Sequence, residues 1–263
     1  MKTILQILRY GLSDLVRNRW VLAYGVFFAV ACDLLLRLGG STDRAMLSLL
    51  NIVIFLIPLT TIVFGTIYWH GAREFNELLL SQPVARGTLF HGLFAGLVVP
   101  LSVAFLAGVT VPLVLHRAID AGTVTLVLMM LGAGVALTGV FGALAVLIGG
   151  LVDDRLKGVG VALGVWLLLT VAYDGIVLTA GVRLADYPLE GLLLALTFAN
   201  PVDLARVLLV LQFDVSALMG HTGAVFNHVL GTPLGTTVAL AGLATWMVVP
   251  GLLALRAFRR RDF

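Results

Sequence analysis

The sequence predicts an all-α membrane protein with six transmembrane helices, and two observations support this fold class. Of the 263 residues, 60% are hydrophobic and only 12% are charged, whereas charged residues make up about 25% of an ordinary soluble domain. In addition, six apolar segments are each long enough to cross a hydrocarbon core of about 30 Å, which takes roughly 20 helical residues. We expect a single transmembrane domain, with spans near residues 20–37, 46–69, 89–115, 123–151, 157–180 and 232–255.

Residues 1–17 precede the first span and have the pattern of a helix that lies in the membrane interface. Apolar residues recur at helical spacing and alternate with charged ones, as in Leu5, Leu8, Leu12 and Leu15. The alternative is a cytoplasmic leader whose only role is to orient the chain. The spacing favours the interfacial helix, which would turn into the first span at Asn18 and Arg19.

The distribution of basic residues predicts that both termini lie in the cytoplasm. Six spans put both termini on one side of the membrane. Only five of the 17 lysines and arginines fall on the opposite side, namely Arg37, Arg44, Arg117, Arg183 and Arg206. Because basic residues accumulate on the cytoplasmic side, segment 70–88 is expected inside and segment 181–231 on the outer side. The basic excess therefore reports topology, and no nucleic acid partner is expected.

The cytoplasmic segment 70–88 is predicted to contain a short helix that lies along the membrane and docks a partner. An apolar stripe and two carboxylates stand at helical spacing, formed by Phe75, Leu78 and Leu79 and by Glu74 and Glu77. The carboxylates suit the positive end of a helix dipole, and Pro83 ends the element. A connection that only reversed the chain would not need such a helix.

A second cytoplasmic connection, residues 150–158, is short and charged. It contains Asp153, Asp154 and Arg155. One interpretation is a solvated turn, since charged residues are routine in such connections. The other is a second docking contact beside the first, and the sequence leaves both open.

The outer segment 181–231 is expected to form short, outward-facing helices packed at the membrane surface. Asn200, Pro201 and Asp203 have the pattern of a helix start, with Asn at the cap and Pro at the first helical position. Further along, Met219, His221 and His228 are weak candidates for metal ligands, because imidazole and thioether would suit copper. They form an incomplete site, so a packed or solvent-facing loop is favoured and no metal is assigned.

Several features expected of enzymes and carriers are missing from the sequence. There is no phosphate-binding loop of the Gly-x-x-x-x-Gly-Lys-Ser/Thr type and no His-Glu-x-x-His zinc helix. We therefore expect no catalytic residue and no cofactor in this chain. Only Asp33 and Asp174 lie within apolar runs, toward the outer ends, whereas coupled carriers usually hold an ionisable group near the midplane. A position at the headgroups is favoured over a role in an outer cavity for both.

The order of these elements resembles that of ABC-2 type permeases, also called type V exporters. They too have an interfacial N-terminal helix, six spans, a cytoplasmic coupling helix after the second span and helical structure before the sixth. Within them, the chain is similar to the NosY family, whose transporter supports copper-site maturation of periplasmic nitrous oxide reductase. Three stretches carry this likeness, residues 73–86, 200–206 and 214–226.

The resemblance implies a homodimer that works with cytoplasmic NosF-like ATPase subunits, which bind the ATP, and with a periplasmic β-helical NosD-like subunit. It implies that the ATPase contacts are Glu74, Phe75, Glu77, Leu78, Leu79, Asp153, Asp154 and Arg155. It implies that the periplasmic contacts lie in 200–228, with candidates Asn200, Asp203, Arg206, Asp214, Met219 and His221. A stand-alone channel or secondary carrier, and a membrane scaffold that transmits force to a periplasmic assembly without moving a solute, remain as alternatives.

Overall fold

The structure is a computed structural model that describes residues 19–72, 85–120, 122–183, 190–211 and 232–260. Every regular element in these ranges is helical. Six of the helical segments are long and apolar enough to cross a membrane. The predicted fold class, an all-α membrane protein with six spans, is therefore confirmed. The interfacial helix predicted for residues 1–17 and the docking helix predicted within 70–88 lie outside the described residues, except for the flanks of the latter.

The observed helices extend the predicted spans by a few residues at most ends. They are α1 (Arg19–Leu38), α2 (Thr42–Gly71), α3 (Arg86–Leu115), α4 (Val124–Leu151), α5 (Arg155–Leu167), α6 (Tyr173–Arg183), α7 (Glu190–Phe198), α8 (Pro201–Val210) and α9 (Pro233–Arg260). Extension past the apolar runs is expected because a helix satisfies its own backbone polar groups as it leaves the hydrocarbon core.

Helix α4 forms the centre of the bundle. It packs against α2, α9, α3 and α8, while α1 packs mainly on α3. Of the most apolar window of α4, 67% is buried, compared with 11% for the span that contains α5 and α6. The fifth span therefore runs along the outside of the single chain, where lipid or another subunit would cover it.

The fifth span is interrupted by a π-helical turn, Leu168–Ala172, between α5 and α6. A π turn widens the helix by one residue per turn and leaves backbone groups in altered positions, and such turns are frequent at functional sites. Here the carbonyl of Leu169 accepts a hydrogen bond from the side-chain amide of Asn200 at 2.7 Å. The turn is thus connected to the start of α8.

Helices α7 and α8 meet at a bend of 114°. The predicted start of α8 is observed, because the side chain of Asn200 caps the helix by accepting from the backbone N–H of Val202 at 2.9 Å, and Pro201 is the first helical residue. The expectation of outward-facing helices is wrong for α8. Most of its residues, including Asp203 and Leu204, are buried, because α8 packs against α4 and α9 rather than over the bundle surface.

Candidate functional site

One end of the bundle holds the flanks of the first predicted docking segment and the whole of the second. Helix α2 ends at Gly71 and α3 begins at Arg86, so these helices flank the predicted docking helix. The connection from α4 to α5, residues 152–154, lies beside the end of α2. We call the region formed by residues 69–72, 85–90, 152–158 and 256–259 the coupling end.

His70 joins two parts of the coupling end. Its Nδ1 lies 2.8 Å from the carbonyl oxygen of Thr66, one turn earlier in α2. Its Nε2 lies 2.9 Å from the carbonyl oxygen of Val152, 82 residues further along the chain. The imidazole therefore links the last turn of α2, directly before the docking segment, to the α4–α5 connection.

Asp154 holds the start of α5. Its carboxylate accepts a hydrogen bond from the backbone N–H of Lys157 at 2.8 Å and caps the helix. The same N–H bond is the main cause that lowers the pKa of Asp154, and the charge of His70 contributes less. Asp153 and Arg155 are exposed on either side of it. Among the three predicted contacts, Asp154 thus has an observed structural role, and a docking role stays a prediction for all three.

An aromatic cluster closes the coupling end from the other side. The ring of Trp69 packs edge-on against Phe90, at 6.0 Å between centroids, and against Phe258, at 5.6 Å. All three residues are buried. Beside them, the guanidinium of Arg86 donates to the carbonyl oxygen of Arg259 at 2.8 Å. The ends of α2 and α9 and the start of α3 are therefore held together.

Sequence reasoning did not identify this cluster or the His70 link. Aromatic and amphipathic residues at span ends are expected in any membrane protein, so Trp69, Phe90 and His70 carried no special signal. Their partners are distant in sequence, and only the meeting of the ends of α2, α3, α4 and α9 brings them together.

A second polar cluster lies on the fifth span and α8. The Arg206 guanidinium donates to both carboxylate oxygens of Asp174, at 2.8 and 2.9 Å, and to Asp203 at 3.1 Å. Burial raises the pKa of Asp203, which lies outside the six spans, to about 6, and the nearby Asp174 carboxylate adds to this while Arg206 opposes it. The cluster therefore places one cation between two carboxylates.

This cluster borders an open groove of about 640 Å³ between α2, the π turn and α8. The hydroxyl of Thr170 is buried there and makes no hydrogen bond within the described residues. Asp174 lines this groove and pairs there with Arg206. Asp33 is also partly exposed, and it pairs with Arg37 at 2.9 Å and with His116 at 2.7 Å. The groove is lined by Asn51, Ile52, Ile54, Phe55, Thr170, Val171, Asp174 and Arg206.

The structure describes only some of the predicted partner contacts. Asn200 is fully buried, Asp203 is nearly so, and the polar atoms of both are bonded within the chain. Arg206 is about one-third exposed. Within the described residues, no group of three or more metal-binding side chains is present. The remaining candidates lie outside the described residues: Glu74, Phe75, Glu77, Leu78, Leu79, Asp214, Met219, His221 and His228.

Comparison with known proteins agrees with the resemblance noted from the sequence. Residues 37–263 match the model of a family described as ABC-2 family transporter protein. The chain belongs to this ABC-2 family. Two relatives cover its full length, each described as a probable ABC transporter permease protein NosY. The one from Stutzerimonas stutzeri is 30% identical over 278 residues, and the one from Pseudomonas aeruginosa is 28% identical over 277 residues. Each alignment covers 99% of both proteins.

Membership of the ABC-2 family identifies the kind of protein that has this architecture. The chain is the membrane-embedded permease subunit of an ABC transporter, and such a subunit works with a separate ATPase. The matched region includes both the coupling end and the groove beside Asp174.

Proposed function

We propose that this ABC-2 permease is the NosY-type subunit of a transporter in the bacterial inner membrane, with both termini in the cytoplasm. A NosF-like ATPase would dock at segments 70–88 and 150–158. The observation that carries this proposal is the coupling end, where His70 connects the two segments across 82 residues of sequence. A force applied at one segment would therefore reach the other through a short, hydrogen-bonded path.

The two docking segments would have different roles, because their side chains differ. In the docking helix, Phe75, Leu78 and Leu79 would supply the apolar anchor that fills a groove on the ATPase. Glu74 and Glu77 would set its register, since flanking charges contribute specificity more than affinity. The exposed Asp153 and Arg155 would form the second contact, and Asp154 would keep α5 in place beside it. ATP would be bound and hydrolysed by the partner, and this chain would have no catalytic residue.

On the opposite side, the outer segment 181–231 would meet a periplasmic, NosD-like β-helical subunit. Asn200 and Asp203 are buried, so we propose that they act by fixing the position of α8. Direct contact would then come from the partly exposed Arg206 and from the segment that contains Asp214, Met219 and His221. This arrangement would connect an outer partner to the fifth span through the Asp174–Arg206 pair.

The biological role we propose is support of copper-site maturation in periplasmic nitrous oxide reductase, carried out by a homodimer of this subunit. The exposed apolar surface of α5 and α6 supports a subunit contact there, since little of that span is buried in the single chain. Either a solute crosses the membrane or ATP-driven motion is transmitted to the periplasmic subunit. A stand-alone channel or carrier is less well supported, because the family works with ATPases.

Two experiments test the proposal. In the first, this chain is purified in detergent with and without co-expressed ATPase and β-helical subunits. A stable complex with ATP turnover supports it, and recovery of an active transporter from this chain alone contradicts it. Turnover by the single subunit that a point mutation within it abolishes would likewise contradict it.

In the second experiment, a strain without its permease gene is complemented with this chain or with its Phe75→Ala variant. The copper content and activity of periplasmic nitrous oxide reductase are then measured. We expect restoration by the wild type and a reduced effect of the variant. Full copper loading in the uncomplemented strain would refute the role in maturation.

A further inference from the structure

The hydrogen bonds of His70 depend on the protonation state of its ring. Both ring nitrogens face backbone carbonyl oxygens, at 2.8 Å for Thr66 and 2.9 Å for Val152. A carbonyl oxygen can only accept, and a neutral imidazole has a single N–H group. Both bonds can form together only when the ring is an imidazolium with two N–H groups. A neutral ring would donate to one carbonyl and turn a lone pair toward the other.

We propose that His70 is a positioning residue for coupling and that its imidazolium form holds the end of α2 against the α4–α5 connection. Deprotonation would leave one N–H group for two carbonyl oxygens, so the bond to Val152, which joins α2 to the connection, would compete with the bond to Thr66 and would weaken. The inference rests on the proposed docking of an ATPase at these segments. It adds a proton-dependent step to coupling: the link is complete when both ring nitrogens carry a proton and is weaker when the ring is neutral.

The charges around His70 are mixed. Asp153, Asp154, Arg155 and Lys157 lie on the connection and the start of α5, the elements packed against the imidazole. The charge of His70 is the last of the causes that lower the pKa of Asp154, after the backbone N–H groups of Lys157 and Leu156 and the charge of Lys157. At the coupling end, α3 contributes the cation Arg86, and α9 contributes Arg256 and Arg259. The guanidinium of Arg86 donates to the backbone carbonyl of Arg259.

The packing of α5 makes the link sterically sensitive. A Cβ atom added at Gly158 would lie 2.8 Å from Cε1 of His70 and 3.3 Å from Cγ2 of Thr66. An alanine there must displace the imidazole, and with it the Nε2 atom that lies 2.9 Å from the Val152 carbonyl oxygen. Gly160, two residues further along the same helix, has open space where its Cβ would be. Gly158→Ala and Gly160→Ala are therefore a matched pair that have the same effect on helix propensity.

The experiment measures ATP turnover of the assembled permease–ATPase complex in lipid nanodiscs from pH 6 to 8.5. The ATPase subunit alone is the reference for its own pH dependence. We expect the ATP turnover of the wild-type complex, relative to that of the ATPase alone, to fall by roughly two- to tenfold as the pH rises. This is the change in an equilibrium constant that the loss of one hydrogen bond produces. His70→Lys, whose ammonium can donate to both carbonyls at every pH used, should keep turnover and lose the pH step. His70→Gln, which is neutral, should give low turnover with no step.

A structural readout on the permease alone separates this inference from the proposed function. Cys32, the only native cysteine, is replaced by alanine, and spin labels are attached at Ala72→Cys and Arg155→Cys. We expect the distance distribution between the labels to broaden with rising pH in the wild type and with Gly158→Ala at any pH. It should stay narrow with His70→Lys and with Gly160→Ala.

The outcomes distinguish the two ideas. If the ATPase never binds but the labels respond to pH through His70, the docking proposal fails and the positioning role of the histidine stands. If the complex assembles and turns over, but His70→Gln retains the wild-type pH profile and label distances, the inference is overturned. Equal behaviour of the two glycine variants would overturn it as well.

Discussion

Removal of Arg206 is expected to destabilise the junction between the fifth span and α8. The guanidinium is the one cation among the described residues that bonds both Asp174 and Asp203. In Arg206→Met, the stem of the side chain remains, and the two carboxylates face each other without a counter-ion. Loss of one partner from a buried ion pair costs about 3–5 kcal/mol, whereas an exposed pair contributes only about 0.2–1 kcal/mol.

The cluster is partly buried, so the expected loss of stability lies between the values for an exposed and a buried ion pair. The side chains of Arg206 and Asp174 are 33% and 38% exposed, and that of Asp203 is 13% exposed. After allowance for solvent screening, we expect a loss of about 1–3 kcal/mol. For a chain of this size, each kcal/mol lowers the unfolding midpoint by about 2–4 °C. The apparent midpoint in detergent should therefore fall by several degrees.

The assay is thermal unfolding of the purified variants at pH 7.5 and pH 5. Arg183→Met, which alters an exposed arginine at the end of α6, is the control and should behave like the wild type. A double-mutant cycle with Asp174→Asn isolates the pair and should give a coupling free energy of about 1 kcal/mol or more. At pH 5 the defect should shrink, because the raised pKa of Asp203 makes that carboxyl largely neutral there. Equal midpoints for Arg206→Met and Arg183→Met at pH 7.5 would refute the reasoning.

Two further predictions concern the coupling end and the topology. Trp69→Ala should destabilise the chain by about 3 kcal/mol because it leaves a cavity among buried rings. Thermal unfolding measures this loss, with Trp20→Ala as the control because the side chain of Trp20 is 74% exposed. An equal midpoint for the two variants would contradict the packing described for Phe90 and Phe258. Reporter fusions should follow the distribution of basic residues, and a periplasmic C-terminal fusion would mean an odd number of spans. Cytoplasmic signals are expected after Arg86, Arg155 and Phe263, and periplasmic signals near Arg44, Ile119 and Thr222.

The spans were predictable because their signal is local. About 20 apolar residues are needed to cross a bilayer whatever the rest of the chain does, so the length of each run decides the assignment. The start of α8 was predictable for the same reason, since the cap at Asn200 involves a backbone N–H only two residues away.

The contacts that build the two polar sites were not predictable because they are non-local. Arg206 and Asp174 are 32 residues apart in sequence, and nothing in either segment indicates that the two helices meet. The burial of α8 depends on its packing between α4 and α9. Its amphipathic sequence would suit a helix at the membrane surface equally well, which is why the outward-facing interpretation failed.

The π turn in the fifth span could not be predicted from the sequence either. Residues Leu168–Ala172 are apolar and would continue an α-helix without difficulty. The turn is accommodated because Asn200 donates to the Leu169 carbonyl, and this donor comes from a different helix.

We propose that residues 70–88 transmit force from an ATPase to this permease. The most direct measurement is co-purification of the ATPase with the permease, followed by ATP turnover in lipid, for wild type, Phe75→Ala and Glu74→Arg. Burial of a Phe side chain contributes about 1.5–3 kcal/mol, so Phe75→Ala should weaken association by roughly tenfold or more. Glu74→Arg should uncouple turnover even where a complex survives. Normal assembly and normal turnover in both variants, with normal membrane insertion, would show that this segment is only a connection and would contradict the account.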